Sequence, residues 1–158
     1  MRNSKPIRCL ILACGNTTRS DDGVGPILAE WAAERFRDNA NVRVVSRQQW
    51  TPELAEEVAA ADAVLFIDGS VNSAPGHVQL VAVEAAAGDL GAATHHVDAP
   101  ELLGLTRALY GSPSAQAMLL TIGVGSTEFG ESFSEPVNAA IPSARGVLEE
   151  TILRFLEN

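Results

Sequence analysis

The sequence predicts an α/β fold, a three-layer α/β/α domain built on a mainly parallel, mixed sheet of five strands. Short apolar runs alternate along the chain with longer segments in which apolar residues recur at helical spacing. The 158 residues fit one domain, residues 1–158, because no repeat or linker in the sequence indicates a second. The expected order of elements is β-α-β-α-β-β-α-β-α.

Each predicted strand is a short run rich in aliphatic residues. In chain order the five runs are RCLILAC, NVRVVSRQQ, AVLFIDG, HVQLVAVEA and AMLLTIGVGS. Only the turn-rich loop SVNSAPG separates the third run from the fourth. A connection this short allows the third and fourth strands to be antiparallel, whereas parallel neighbours need a long crossover.

Each predicted helix starts at a residue type that caps helices and has a proline in its first turn. Asp21 or Asp22 is expected to cap the first helix, with Pro26 just inside it. The three later caps are Thr51, Asp98 and Ser134. Pro142 is expected to disturb the first half of the last helix, because proline removes a backbone donor.

Charge and apolar patterning argue against two classes of partner. The formal net charge of −9 repels phosphate backbones and anionic lipid, so nucleic acid and membrane surfaces are not expected partners. The apolar run near the N-terminus is too short for a signal peptide core or a membrane span. Cys9 and Cys14 lie on one extended strand, too far apart for a disulfide, and reduced thiols indicate a cytoplasmic protein.

Residues that can bind metal lie at or after the ends of three predicted strands. Asp21 and Asp22 come after the first strand, Asp68 ends the third, and His95 and His96 lie in the loop after the fourth. Ligands of open α/β sheets bind at the carboxyl ends of the strands, where these side chains would meet. A divalent cation would offset the repulsion between the carboxylates, and mixed nitrogen and oxygen ligands suit zinc, nickel or a similar metal.

Each of these residues also has an ordinary structural interpretation. Asp22 can cap a helix, Asp68 can end a strand in a turn, and a loop histidine can simply be hydrogen-bonded. The pattern alone leaves both interpretations open.

Other kinds of site fit the sequence less well: the loop after the first strand has neither a dinucleotide G-x-G-x-x-G nor a P-loop motif, and the chain has no G-x-S-x-G. Cys14 as a nucleophile is disfavoured, because cysteines at strand ends are usually small buried residues.

Four segments in order resemble the hydrogenase maturation proteases, endopeptidases that process the large subunit of nickel-iron hydrogenases. Together they cover nearly the whole chain. The segments are ILACGNTTRSDDGVGPILAEWAAERF, VLFIDGSVNSAPG, THHVDAPELLGLTRALYG and TIGVGSTEFGESFSEPVNAAI.

The resemblance implies that Asp22, Asp68 and His95 are both the metal-contacting and the catalytic residues. His95 matches the family better than His96, because it directly follows a small residue. Two features depart from the family pattern: Cys14 replaces a frequent glycine, and Arg19 precedes the acids, where its charge could steady them. Asp21 is expected to shape the loop; a role as general base is the alternative.

The resemblance also implies a substrate. Family members recognise nickel already inserted in the large-subunit precursor and remove a short C-terminal peptide. Nickel would therefore be supplied by the precursor, which is the expected partner of a monomeric enzyme. The alternative is a metal-dependent assembly chaperone that binds a metalloenzyme subunit without cutting it. A nucleotide-binding α/β domain is a weaker alternative.

Overall fold

The computed structural model describes residues 7–87, 96–111 and 116–158. Within these ranges the strands are β1 (Ile7–Cys14), β2 (Val42–Arg47), β3 (Ala61–Ser70), β4 (Val78–Ala82) and β5 (Gln116–Gly123). The helices are α1 (Val24–Arg35), α2 (Ala55–Ala59), α3 (Ala99–Tyr110) and α4 (Glu135–Glu157). Two short 3₁₀ turns, Ser20–Gly23 and Pro52–Leu54, precede α1 and α2. The predicted order of elements is confirmed.

The five strands form one mixed sheet in the order β2-β1-β3-β5-β4. The neighbours β2, β1, β3 and β5 are parallel, and β4 runs antiparallel at the edge. The fold class is therefore as predicted. The antiparallel partner of β4 is β5 rather than β3, so the short loop after β3 crosses over β5 before the chain turns back.

Helices cover both faces of the sheet, and each face has its own core. One core joins β1, β3 and β5 to α1 and α4, and the other joins β1 and β3 to α2 and α3. Alternate residues of a strand face opposite sides, so Leu10, Leu12 and Cys14 belong to the second core. Both β1 and β3 are buried on two faces, which explains why they read as continuous apolar runs.

The helix starts differ in part from the sequence predictions. Asp98 caps α3 as expected, in a reciprocal capping box with Glu101. Asp21 and Asp22 do not cap α1: they lie in the preceding 3₁₀ turn, and Gly23 takes the cap position. Ser134 does occupy the cap position of α4, but without a side-chain bond to that helix. Pro142 lies within α4, which continues through it.

The second helix is shorter than predicted. The segment TPELAEEVAAAD forms a 3₁₀ turn and then a helix of only five residues. Strand β3 begins at Ala61, which pairs with Ile7 of β1. Residues for which local propensity favours helix are therefore part of a strand, because they pair within the sheet.

Among the helices of the described ranges, none combines the length and the apolar composition that a membrane span requires.

Candidate active site

The carboxyl edge of the sheet brings together the loops that follow β1, β3 and β5. Two glycines allow the backbone to pack tightly here. Gly15 has φ of 147°, a conformation that side chains disfavour, and a Cβ there would also clash with the Asp22 carbonyl oxygen. A Cβ at Gly25 would clash with the Cys14 carbonyl oxygen. The first turn of α1 can therefore lie directly against the end of β1.

Asp21 is fully buried and accepts four hydrogen bonds from the chain after β5. Its Oδ2 atom accepts from the Gly125 amide at 2.7 Å, the Ser126 amide at 3.0 Å and the Ser134 hydroxyl at 2.6 Å. Its Oδ1 atom accepts from the Ser134 amide at 2.6 Å. Burial favours the neutral acid, but these donors outweigh it and lower the pKa of Asp21. Asp21 is thus a buried carboxylate with its oxygens already engaged, which does not fit a general base.

Asp22 points a different way from Asp21. Its side chain is half-buried, and its Oδ2 atom accepts the Asn16 amide at 2.7 Å. Asn16 in turn accepts the Thr18 amide through Oδ1 at 2.9 Å, which stabilises the turn. The two adjacent aspartates therefore have different roles. Asp21 anchors the loop, and the carboxylate of Asp22 remains partly accessible to a ligand at the edge of the sheet.

Asp68 lies beside Cys14 and close to Asp22. The β1–β3 register pairs Ala13 with Ile67, so the next residues, Cys14 and Asp68, are neighbours on adjacent strands. Burial raises the pKa of Asp68 to about 6, and the negative charge of Asp22 adds to the rise. Hydrogen bonds from the Cys14 thiol and the Gly69 amide oppose it. Asp22 and Asp68 are thus two carboxylates in mutual repulsion.

Burial also raises the pKa of Cys14, and the charges of Asp68 and Asp22 act in the same direction. Cys14 is consequently a protonated thiol at neutral pH, well suited to donate to Asp68 and poorly suited to act as a nucleophile. Its bond to Asp68 was not predicted from the sequence. Because the bond depends on the register of two parallel strands, no local pattern could have indicated it.

The histidine doublet is only partly described. His95 lies outside the described residues, and His96 is exposed. The next residue, Val97, is buried and donates its amide to the Trp50 carbonyl oxygen at 3.0 Å. Trp50 follows the carboxyl end of β2, so this bond holds the chain next to the histidines at the same edge as Asp22 and Asp68. Among the described residues alone, no three His, Cys, Asp or Glu side chains are arranged to hold a metal ion.

Arg19 does not steady the acids by ion pairing, contrary to expectation. Its guanidinium lies 4.4 Å from the centre of the Phe129 ring and donates to the Thr127 carbonyl oxygen at 3.4 Å. Within the described ranges, no ion pair joins Arg19 to an aspartate. The charge of Asp21 is instead offset by neutral donors, chiefly Ser134, for which the local sequence predicts only a helix cap.

The geometry at this edge defines a candidate active site. Asp22 and Asp68 present carboxylates that are partly open and close to each other, while Asp21 and Cys14 fix the backbone and side chains around them. A cation between Asp22 and Asp68 would relieve their repulsion, and carboxylate oxygens are common ligands of divalent metal ions. The donors present therefore fit a metal ion that brings further ligands of its own.

Comparison with known proteins gives matches among solved structures only. No family model matches the chain, and no curated protein sequence matches it. The NiFe hydrogenase maturation protease HybD from Thermococcus kodakarensis is 24% identical and superposes with a TM-score of 0.66, covering 91% of this chain and 98% of that one.

Two further structures agree. The NiFe hydrogenase maturation protease HycI from Thermococcus kodakarensis KOD1 is 23% identical with a TM-score of 0.66, covering 98% of this chain and 96% of its own. The hydrogenase maturating endopeptidase HybD from E. coli is 19% identical with a TM-score of 0.69, covering 93% of each chain. The chain therefore has the same fold as the hydrogenase maturation proteases HybD and HycI.

Proposed function

We propose that this protein is an endopeptidase that removes a C-terminal peptide from the nickel-loaded precursor of a nickel-iron hydrogenase large subunit. Asp22, Asp68 and His95 recognise the nickel. The observation that carries the proposal is the pairing of Asp22 with Asp68 at the carboxyl edge of a fold shared with HybD and HycI. Three of the four sequence segments that resemble this family each contain one of Asp22, Asp68 and His95.

Nickel belongs to the substrate in this proposal, and the protein supplies only part of its coordination. Asn16 holds one oxygen of Asp22, and Cys14 donates to Asp68, so each carboxylate is oriented before the precursor arrives. His95 would add the third ligand; the anchoring of Val97 at this edge supports that assignment. A precursor without nickel would leave the two carboxylates repelling each other, so it would bind poorly. Recognition of the metal thus becomes a check on loading.

Cleavage requires water to attack the peptide carbonyl next to this site. Nickel, when bound, would act as a Lewis acid. On the protein side, a carboxylate that is ionised and partly open can accept the proton of the attacking water. Asp22 and Asp68 are both partly open, and Asp68 is ionised above about pH 6, whereas the oxygens of Asp21 are already engaged. We therefore assign the reaction to Asp22 and Asp68 and the support of the loop to Asp21.

The decisive experiment is incubation of the protein with a nickel-loaded large-subunit precursor, followed by mass measurement of the precursor. Loss of a C-terminal peptide that depends on nickel is the expected result. Binding without any change in mass would favour an assembly chaperone and refute the endopeptidase. Metal-free precursor is the matched control and should stay intact.

We place this reaction in the cytoplasm, with the precursor as partner and a monomer as the active form. The described cysteines, Cys9 and Cys14, are free thiols, which suits a reducing compartment. The formal charge of −9 argues against nucleic acid and anionic membrane surfaces as partners. Light scattering of the active protein tests the monomer directly.

A further inference from the structure

The loop between β5 and α4 displays an exposed aromatic side chain beside the candidate active site. Phe129 is 79% exposed, and Val71, which directly follows β3, is 74% exposed. These are the two most exposed large apolar side chains among the described residues. Both lie on loops at the carboxyl edge of the sheet, where Asp22 and Asp68 are found. Apolar exposure is therefore greatest at the edge assigned to the reaction.

The backbone around Phe129 is held in place rather than free. The Ser20 amide donates to the Gly130 carbonyl oxygen at 2.8 Å, and the Gly130 amide donates to the Thr18 carbonyl oxygen at 2.8 Å. The Ser20 hydroxyl donates to the Glu128 carbonyl oxygen at 2.8 Å. These bonds fasten the residues on both sides of Phe129 to the loop that carries Asp22.

The Phe129 ring itself is supported on one side only. Arg19 covers one face of the ring, with its guanidinium 4.4 Å from the ring centre. The large exposed fraction means that the other face is open to solvent. An aromatic ring that is already fixed loses little side-chain entropy when a partner covers its open face. Aromatic residues of this kind are the usual anchors of protein interfaces.

The charges around Phe129 are mostly negative. Glu128 and Glu131 flank it in the sequence TEFGES, and both are exposed. Glu135, also exposed, begins α4 at the end of the same loop. Arg19 is the cation at the ring and is already stacked on it. A partner segment that is complementary to this surface would combine an apolar side chain with lysine or arginine.

We propose that Phe129, Val71 and the flanking glutamates form a docking surface for a basic, apolar segment of the precursor polypeptide. The inference rests on the proposed function, since it takes the precursor as the partner. An apolar side chain of the segment covers the open face of Phe129, and its cations face Glu128 and Glu131. Because these hydrogen bonds fasten the Phe129 loop to the loop that carries Asp22, docking there places the polypeptide near Asp22.

Binding and cleavage of the nickel-loaded precursor should be measured separately, by titration with labelled precursor and by mass. Phe129→Ser should weaken binding roughly tenfold, as loss of an interface anchor does. The matched control is Leu109→Ser, since Leu109 is 61% exposed on the last turn of α3, away from this edge. The double variant Glu128→Gln/Glu131→Gln should weaken binding and its dependence on salt more than Glu34→Gln/Glu150→Gln, which removes the same charge elsewhere.

Each outcome decides something. Equal binding by Phe129→Ser and the parent protein, or equal losses in Phe129→Ser and Leu109→Ser, would overturn the docking surface. Equal effects of the two glutamate double variants would overturn a basic partner. Cleavage that proceeds normally in Phe129→Ser with unchanged KM would refute this surface and leave the endopeptidase intact. Binding that depends on Phe129 without any cleavage would refute the endopeptidase and leave the surface.

Discussion

Asp21 and Ser134 are 113 residues apart in the sequence and are joined by two hydrogen bonds of 2.6 Å, one from the Ser134 hydroxyl and one from its amide. The pair links the loop after β1 to the start of α4. The residue next to Asp21 is Asp22, so this link also sets the position of a proposed catalytic carboxylate.

Asp21→Asn should destabilise the protein by about 3 kcal/mol, because the new amide group faces buried donors that lose an ionised acceptor. Ser134→Ala removes only the hydroxyl donor and should cost about 1–2 kcal/mol. Urea unfolding of both single variants and the double variant measures the coupling. Because the two residues are in direct contact, the double variant should lose less than the sum of the single losses.

Additive losses would contradict a direct link between Asp21 and Ser134. The matched control is Asp98→Asn, which changes a second aspartate whose side chain accepts a backbone amide, but one that caps α3 far along the chain. Its effect should add to that of Ser134→Ala, since the two residues share no hydrogen bond.

Asp68→Asn should make the protein more stable at pH 8 while it abolishes cleavage. The pKa of Asp68 is about 6 in the folded protein against 3.8 for the unperturbed group. The folded state therefore favours the protonated acid, and the contribution of Asp68 to stability is lost as pH rises through 6. The variant lacks this penalty, so its advantage should reach about 3 kcal/mol at most above pH 6.

The same advantage should shrink as pH falls from 6 towards 4, because Asp68 is then protonated in the folded chain and, with an unperturbed pKa of 3.8, increasingly protonated in the unfolded chain as well. Thermal unfolding of the parent and the variant between pH 4 and pH 8 measures this trend. Asp62→Asn, which changes an exposed aspartate near the start of β3, is the control. An advantage of Asp68→Asn that is the same at every pH would show that burial does not perturb the carboxyl.

Element order and fold class were predictable because they depend on local patterns of apolar and polar residues that can be seen in the sequence. The interiors of RCLILAC and AVLFIDG are apolar because β1 and β3 are covered by helices on both faces. The pairing of β4 with β5 was not predictable in the same way. The loop after β3 is short enough for a hairpin, and the choice of β5 as partner is made by the tertiary fold.

The candidate site was predictable as a set of residue types and not as a set of contacts. Asp22 follows one strand of the predicted sheet and Asp68 ends another, and that order alone indicates a shared edge. The different roles of Asp21, which anchors the loop, and Asp22, which remains accessible, were not predictable, because the hydrogen-bond donors to Asp21 come from residues 125, 126 and 134. Local rules assign Asp21 to helix capping, and long-range hydrogen bonds override them.

His95→Ala should abolish cleavage of the nickel-loaded precursor, and His96→Ala should keep most of it. His95 and His96 directly precede Val97, whose amide donates to the Trp50 carbonyl oxygen, so the two variants change neighbouring positions in the sequence. His96 is exposed, and its loss should leave the fold unchanged. The measurement is precursor mass against time; inactivity of His96→Ala with activity in His95→Ala would reverse the assignment of the ligand.

Cys14→Ala should lower the rate of cleavage, because it removes the thiol that donates to Asp68. Cys9→Ala is a close control: Cys9 is on the same strand and buried, but it faces the other core, packed with α1 and α4. Both variants should lose a similar amount of stability, about 1 kcal/mol, since each leaves a small cavity. Only Cys14→Ala should reduce kcat, and Cys14→Ser should restore most of it by returning a donor to Asp68. Equal kcat in Cys14→Ala and Cys9→Ala would mean that Asp68 keeps its orientation without the thiol.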